Sequence, residues 1–521
     1  VTADQSRSHF RPDIEGLRAV AIGAVLLYHA GVPGADGGFV GVDVFFVISG
    51  FLITGLLMRE WSAHDGISLT GFYARRFRRL LPAALLTIVV TVVASWFILS
   101  SLRFPDVAGD ATAAALYVSN MRFAANAIDY LGAETAPSPL LHFWSLSVEE
   151  QFYLFWPLAM LVSLRLLGSA RRLWPIVALV SVVSFALAVM WTDVAAPWAF
   201  FSLPTRAWQL GVGALIAIGL LRLPRSAPGW LAAGSVWLGL GLILAAVVLI
   251  GPETPYPGMA AAIPVAGTAL VILGGGQGGG GPARLLSARF PRWLGRISYS
   301  LYLWHWPLLV LIPLALGIDD LALNLGLVVV AALVAWASTD LLETPIRQGR
   351  RLPMRPSRSV LAAVSASVVV AVGSLTWGFA SSGSRWSPHE VDQVALATIG
   401  LPPPLRSGPV PADLVPPLDG AYWDLPAGYD DGCHLGFDAT DPPECVYGHP
   451  DGSTRVMLLG DSHAQQWLPA LQALAEQRGW RLRAITKSAC PMVDATVWNT
   501  VLKRAYRECD AWREQALQLI S

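Results

Sequence analysis

Arg18 and His29 stand eleven residues apart inside one apolar run, GLRAVAIGAVLLYHAG, at 16–31. Ionisable groups at membrane depth cost about 2.5–3.5 kcal/mol each on insertion scales, so they turn towards a bundle interior or a water-filled path. At 1.5 Å rise per residue, that separation is roughly 16 Å and about three helical turns, which brings both side chains near one face. Such a helix presents a fixed cation near one membrane surface and a titratable imidazole towards the other. A snorkelling Arg18 with an end-capping His29 is the plainer reading. The two together argue for a site.

Other stretches carry chemistry of the same kind. FYARRFRRLLP offers Arg75/Arg78 and Arg76/Arg79, two i, i+3 pairs suited to a phosphate-rich ligand or, more simply, to anionic lipid. HFWSLSVEEQFYLFWP sets Ser145, Glu149, Tyr153 and Trp156 on one helix face, with His142 in the approach. A carboxylate there is expected at a depth similar to His29, as its orienting partner in general-base chemistry. Of the adjacent acids Glu149 and Glu150, at least one should be a solvated end charge. GGFVGVDVFFVISGFLI places Asp43 in the outer half of a span and Ser49-Gly50 at mid-depth, where the glycine suits a close helix contact. RISYSLYLWHWP puts Ser298, Tyr302 and His305 on one face, and Arg206 opens a further span. Near the C-terminus, Gly460-Asp461-Ser462-His463 follows directly on an apolar strand. A serine on a tight strand-to-helix turn is an exposed nucleophile beside a helix N-terminus that can stabilise an oxyanion. His463 is the one histidine after Ser462, and an adjacent residue serves poorly as its base.

The elements that position these residues follow from composition. The chain has 521 residues, 54% hydrophobic and only 14% charged, with mean hydropathy +0.52, a composition that marks an integral membrane protein. Eleven spans are expected, near 14–33, 38–58, 80–101, 145–165, 173–192, 205–222, 230–250, 258–274, 297–316, 321–341 and 358–380. The first has no cleavage site after it and is read as a retained helix. With a cytoplasmic N-terminus, the inner segments of the span region gather most of its arginines, while its outer loops hold only Arg103 and Arg122. An odd span count then puts residues 381–521 outside. Within the outer segment 102–144, DATAAALYVSNMRFAANAI suits a surface or re-entrant helix, and GGGQGGGG near 274–281 is a flexible connection.

Beyond the last span, a Pro-rich stretch (LPPPLRSGPVPADLVPP) reads as a tether. STRVMLLGDSH then gives a strand at 456–459, a turn and a helix near Ala464, and WRLRAITKSACP a second strand, the beginning of an α/β sandwich. All four cysteines lie in this polar region, which calls for disulfides in an oxidising compartment. Local pairing is expected, Cys433–Cys445 and Cys490–Cys509, since crossed pairs would have to span the Ser462 turn. No C-x-x-C or H-x-x-x-H spacing suggests a metal, and no basic run with interleaved aromatics suggests nucleic acid.

Taken together, R-x10-H in the first span, GVDVFFVISGFLI, RRFRRLLP, HFWSLSVEEQFYL and SYSLYLWHWP resemble the acyltransferase family 3 membrane domain. STRVMLLGDSHAQQW resembles the opening block of an SGNH-type hydrolase or transferase domain. The implied fold is an all-α polytopic membrane domain of about eleven transmembrane helices (10–350), an extra transmembrane helix (358–380) and a Pro-rich linker (381–428). An α/β SGNH-like extracytoplasmic domain (429–521) follows, expected to be incomplete because its Asp/His block is absent before Ser521. The resemblance implies a bacterial inner-membrane O-acyltransferase of the polysaccharide or peptidoglycan O-acetyltransferase type. Its donor would be acyl-CoA, acetyl-CoA first among candidates, and its acceptor an extracytoplasmic glycan. His29, Glu149, Asp43 and Ser462 would be catalytic. Arg18, Arg75, Arg76, Arg78 and Arg79 would bind acyl-CoA, and Arg206, Ser298, Tyr302, His305 and His142 would line the substrate channel. Arg206 matches a family R-x-W-E-L pattern in which Gln209 replaces the acid. A secondary transporter or channel with a glycan-binding exterior domain is the competing class. Residue types leave the oligomeric state and the particular glycan open.

Overall fold

The computed structural model describes residues 11–99, 103–127, 137–220, 228–251, 253–276, 281–350, 354–381, 424–493, 498–499, 502 and 504–519. The chain divides into two compact units, 1–385 and 386–521. Most of the Pro-rich tether and the centre of the Gly-rich connection lie outside the described residues.

The first unit is helical. Its helices are α1 (Pro12–His29), α2 (Gly41–His64), α3 (Leu69–Ile98), α4 (Phe104–Ala115), α5 (Ser119–Asn126), α6 (Phe143–Leu167), α7 (Ala170–Val194) and α8 (Ala196–Phe201). They continue as α9 (Leu203–Gly219), α10 (Gly229–Leu249), α11 (Ala262–Gly275), α12 (Pro282–Leu286), α13 (Arg289–Leu316), α14 (Leu321–Ser338), α15 (Thr344–Arg347) and α16 (Pro356–Ser381). A helix occupies each of the eleven stretches read as spans. Seven helices among the described residues are long and apolar enough to cross a membrane. The other four fall short for visible reasons. α1 carries Asp13, Glu15 and Arg18, and α6 carries Glu149 and Glu150. α9 has 17 residues and α11 only 14, and the latter makes about 21 Å of helix against a hydrocarbon core of roughly 30 Å. The stretch expected as one surface helix is two, α4 and α5, broken at 116–118.

Local signals fix the helix that matters most. Pro12 starts α1, where its missing N–H is no loss. Gly31, at φ +75°, ends it two residues after His29. α1 packs against α13, and α2 against α9. Both contacts rest on glycine. A side chain at Gly295 would collide with the Glu15 carbonyl, and one at Gly50 with the Leu210 carbonyl, so the backbones approach as small residues allow. The close contact expected at Ser49-Gly50 is present.

The second unit is built on β3 (Thr454–Gly460) and β4 (Trp480–Lys487), parallel and joined through helix Leu468–Arg478. β1 (His434–Leu435) and β2 (Val446–Gly448) also pair with β4, parallel and antiparallel respectively. A separate short pair joins β5 (Trp498–Asn499) to β6 (Arg504–Ala505). Because side chains alternate across a strand, β4 feeds two cores. Leu482 and Ala484 meet helix Leu468–Arg478 through Leu468 and Ala475. Ile485 meets helix Arg507–Gln518 through Cys509, Trp512 and Ala516. A sheet with a helix on each face is the α/β sandwich read from the sequence. Disulfides join Cys433 to Cys445 and Cys490 to Cys509, the local pairing expected.

Candidate active site

A cavity of about 270 Å³ opens between α1, α2, α3, α6 and α13. One group of its lining residues is cationic, Arg18, Arg59, Arg76 and Arg79. Glu149, Ser49 and Tyr153 stand among them, and Phe45, Phe46, Leu52 and Ile53 supply apolar walls. Ser145, Ser298 and Tyr302 line it as well. The two arginine pairs of α3 therefore separate. Arg76 and Arg79, at i, i+3, face the cavity, and their Nε atoms are buried with no hydrogen-bond partner among the described residues. Arg76 lies over the Tyr153 ring at 3.9 Å, a stacking arrangement suited to guanidinium. Arg75 instead pairs with Glu60 at 2.9 Å. Arg78 donates to the Met354 carbonyl (2.5 Å) and to Ser359 Oγ (2.7 Å). The expectation that both pairs serve one ligand is corrected: a helix shows one face to a cavity, and i, i+3 neighbours one residue out of step point elsewhere.

Glu149 is likewise placed differently from expectation. It accepts a hydrogen bond from Ser49, and it lines the same cavity as Arg18, Arg76 and Arg79. It belongs with the arginines and not with His29. Glu149 and Glu150 are both half-buried, so neither is a fully solvated end charge. Asp43 does not reach His29 either. Its carboxylate accepts from Arg206 Nη1 (3.0 Å), Gln209 Nε2 (2.5 Å) and the Tyr256 hydroxyl (2.5 Å). Asp43 and Arg206 are both about 1% exposed, a buried ion pair tying α2 to α9. Gln209, standing where the related pattern has an acid, is a donor in that network. Arg206 also donates to the Phe200 carbonyl at 2.9 Å.

Three imidazoles converge at the other end of α1. His29 Nδ1 lies 3.0 Å from His305 Nε2, and the His142 and His305 rings are 5.8 Å apart. Trp306 packs against His29 at 4.5 Å. Between this cluster and the cavity stand Tyr302 and Ser145. Their hydroxyls are 2.7 Å apart, and Tyr302 also donates to the His142 carbonyl at 3.1 Å. Ser298 Oγ is buried without a partner among the described residues. Arg18 thus lines the cavity, and His29, eleven residues on, stands in the histidine cluster at the other end of α1. Sequence reasoning missed Glu343, buried in the π-helical turn Thr339–Glu343 and accepting from Ser300 at 3.4 Å. An acid at the end of an apolar run was the signal. Tyr256, after a proline in PYPG, offered none.

In the second unit Gly460 takes φ +147°, and a Cβ there would crowd Ala464; only glycine lets the strand turn this sharply. Asp461 Oδ1 accepts from the His463 amide at 2.9 Å and caps the turn. Ser462 follows, half-buried. The helix it opens, Ser462–Gln465, is a single turn, so the dipole expected to help an oxyanion is small. His463 is 79% exposed and no hydrogen bond joins it to Ser462. His434, on β1, is buried, with Nδ1 3.0 Å from Thr486 Oγ1 and Nε2 3.0 Å from Ser488 Oγ. Burial pushes its pKa down to about 4, Lys487 adding to the effect and Asp461 opposing it. Lys487 is itself buried, its ammonium capped by the carbonyls of Gly436 (2.7 Å), Phe437 (2.9 Å) and Ala439 (2.5 Å). Burial lowers its pKa. A further cleft of about 360 Å³ is lined by Asp424, Pro426, Gln466, Pro469 and Gln472.

Fold and site define a multi-pass helical membrane protein with an appended α/β unit. Residues 11–340 match the acyltransferase domain of acyltransferase family 3, and residues 432–521 match the SGNH domain found fused to such domains. The chain belongs to this acyltransferase family. It is 36% identical over 359 residues to the peptidoglycan O-acetyltransferase OatA of Listeria monocytogenes, covering 65% of this chain and 56% of that protein. The putative peptidoglycan O-acetyltransferase YrhL of Bacillus subtilis is 34% identical over 357 residues, covering 65% and 55%. The O-acetyltransferase OatA of Staphylococcus aureus is 32% identical over 357 residues, covering 65% and 57%. The chain spans about half the length of these curated relatives. No solved structure matches it.

Proposed function

We propose that this chain takes an acyl group, acetyl first among candidates, from acyl-CoA on the cytoplasmic side of the bacterial inner membrane and transfers it to a hydroxyl of an extracytoplasmic glycan. The single observation that carries the reading is the row of polar side chains from the Arg76/Arg79 cavity, through the hydrogen-bonded Ser145–Tyr302 pair that lines it, to the neighbouring His305–His29 contact. Two buried guanidinium Nε donors without partners suit the phosphates of a CoA ester, for which arginine is the preferred residue. The arginine asymmetry of the loops supports a cytoplasmic N-terminus, and the disulfides support an oxidising compartment for residues 429–521.

In the chemistry proposed, the thioester lies in the cavity with its acyl end towards His29. The imidazole takes the proton of the attacking hydroxyl while the new C–O bond forms and the C–S bond breaks, and that proton leaves on the CoA thiol. A transient acyl-imidazole would achieve the same transfer in two steps. Outside, the Ser462 hydroxyl attacks that acyl group, taking it as an ester while the first acceptor hydroxyl (or the imidazole) leaves with the serine's proton. The sugar hydroxyl then attacks the serine ester and regenerates the serine. The relatives named as peptidoglycan O-acetyltransferases favour a cell-wall glycan as acceptor. Glu149 and Arg18 hold the charge balance of the cavity in this account, and Asp43–Arg206 holds its walls.

Acetyl-CoA consumption and acetylation of a soluble N-acetylglucosamine oligosaccharide, measured side by side in the detergent-solubilised full chain, test it. His29→Ala should abolish both. Ser462→Ala should keep acetyl-CoA consumption and lose glycan acetylation. Wild-type acetyl-CoA consumption by His29→Ala would remove the basis for the reading.

A further inference from the structure

His29 has a partner that is not a carboxylate, and the hydrogen bonds around that partner allow one proton arrangement for the neutral pair. His305 Nδ1 lies 3.1 Å from the Leu301 carbonyl, four residues back on α13. A carbonyl oxygen can only accept, so Nδ1 of His305 carries a proton and donates it. Neutral imidazole has one N–H, and Nε2 of His305 is therefore a lone pair. The contact 3.0 Å away must then be donated by His29. His29 is protonated on Nδ1, and its Nε2 is left with the lone pair.

We propose that His305 is the positioning residue for His29. It fixes His29 as the Nδ1–H tautomer and aims Nε2 as the reacting atom. The inference rests on the acyl-transfer reading above and adds a second residue to it. The relation parallels that of the carboxylate in a Ser-His-Asp site, where loss of the correct tautomer alone removes most of the rate. Here the orienting group is an imidazole anchored on the backbone. His305 is 0% exposed, which suits a ring held in one orientation. Tyr302 at 5.4 Å and His142 at 5.8 Å (ring centroids) wall it in. The His29 ring is held on its other side by Trp306 and Tyr28, at 4.5 and 5.0 Å. Among the described residues no carboxylate hydrogen-bonds His29. In whichever way His29 acts, as base or as carrier of the acyl group, the same nitrogen does it.

The role separates from a packing role by its kinetics. A glutamine at 305 can accept from His29 Nδ1–H through its amide oxygen and still donate to the Leu301 carbonyl through its nitrogen. In the detergent-solubilised full chain, with acetyl-CoA as donor and an N-acetylglucosamine oligosaccharide as acceptor, His305→Ala should lower kcat about 100-fold, the low end for general acid–base contributions. Its KM for acetyl-CoA should stay within about two-fold. His305→Gln should recover at least about ten-fold of that loss. A second measurement needs no change at 305. In ¹⁵N-histidine-labelled wild-type protein, the His29 signals, assigned by their disappearance in His29→Ala, should report a protonated Nδ1 and an unprotonated Nε2. An unprotonated Nδ1 on His29, or full kcat in His305→Ala while His29→Ala is inactive, would overturn the positioning role and leave the acyl-transfer reading standing. Full activity in His29→Ala would overturn both.

Discussion

The two units use the same alphabet of serine, histidine and acid in opposite ways. In the helical unit the acids and the first-helix histidine singled out from the sequence have named partners: His29 with His305, Glu149 with Ser49, Asp43 with three donors. Ser298 and both His142 nitrogens are buried without a hydrogen bond among the described residues. In the α/β unit Ser462 is half-buried and His463 stands 79% exposed, and no hydrogen bond joins the two side chains. The contrast follows from solvent. A polar group inside a membrane bundle has no bulk water to fall back on, so the acids found their partners across helices. Ser298 and His142, left without one among the described residues, stand at the cavity and the histidine cluster. A turn facing water is held locally, here by Gly460 and the Asp461 side-chain cap, and leaves the Ser462 hydroxyl without a fixed histidine partner.

Substitutions can break or sharpen that contrast. The largest effect on stability should come from the Asp43 network. Asp43→Ala leaves Arg206 buried without its counter-charge, and breaking a buried pair this way costs about 3–5 kcal/mol. Thermal unfolding of the full chain in detergent should show a large loss of stability. The equivalent change Asp461→Ala removes only a cap, worth about 1 kcal/mol, and should barely move unfolding of the α/β unit. Equal losses would mean that the two units are not held differently.

Next in size is the split between the arginine pairs. Arg76→Ala or Arg79→Ala should raise KM for acetyl-CoA about 10- to 100-fold, as expected for a lost hydrogen bond to a charged group of about 1.5–3 kcal/mol. Arg75→Ala, which removes an exposed pair with Glu60, should change KM by less than about two-fold. Comparable effects from both faces of α3 would mean that the charge acts at long range and not through the cavity.

The smallest effect concerns pH. His434 is held neutral in the fold, with its pKa pushed down to about 4 by burial. Unfolded histidine titrates near pH 6.5, so between about 6.5 and 4 the unfolded state binds more protons and stability falls as pH falls. Hydrogen–deuterium exchange of peptides from 424–493 in the full chain, corrected for the slower intrinsic exchange at lower pH, should show protection falling across that window, and less so in His434→Gln. An unchanged pH response in that variant would assign the effect to another group.

What the sequence revealed of the site was the set of ionisable residues in apolar surroundings. Arg18, His29, Arg76 and Glu149 stand out because charge at membrane depth needs a reason, and Ser462 because a strand runs straight into a glycine turn. The cysteine pairing was legible because both bridges are local, with separations of 12 and 19. Partners were not legible. The contact between His29 and His305 joins residues 276 apart in sequence, and that between Ser49 and Glu149 joins residues 100 apart. Helical periodicity gives a face but not the neighbour it meets, which is why Glu149 was assigned to His29 and lies with the arginines. The same gap left Arg75 and Arg76 indistinguishable until α3 was oriented.

The central claim, that the acyl group travels from the cavity through His29 to Ser462, is most directly tested by following the group itself. The full chain would be incubated with acetyl-CoA labelled in its acetyl carbon, quenched within a single turnover and digested for peptide mapping. The account predicts an acetyl ester on the peptide containing Ser462 in wild type, none there in His29→Ala, and none in Ser462→Ala despite consumption of acetyl-CoA. Label reaching Ser462 at the wild-type rate in His29→Ala would contradict it.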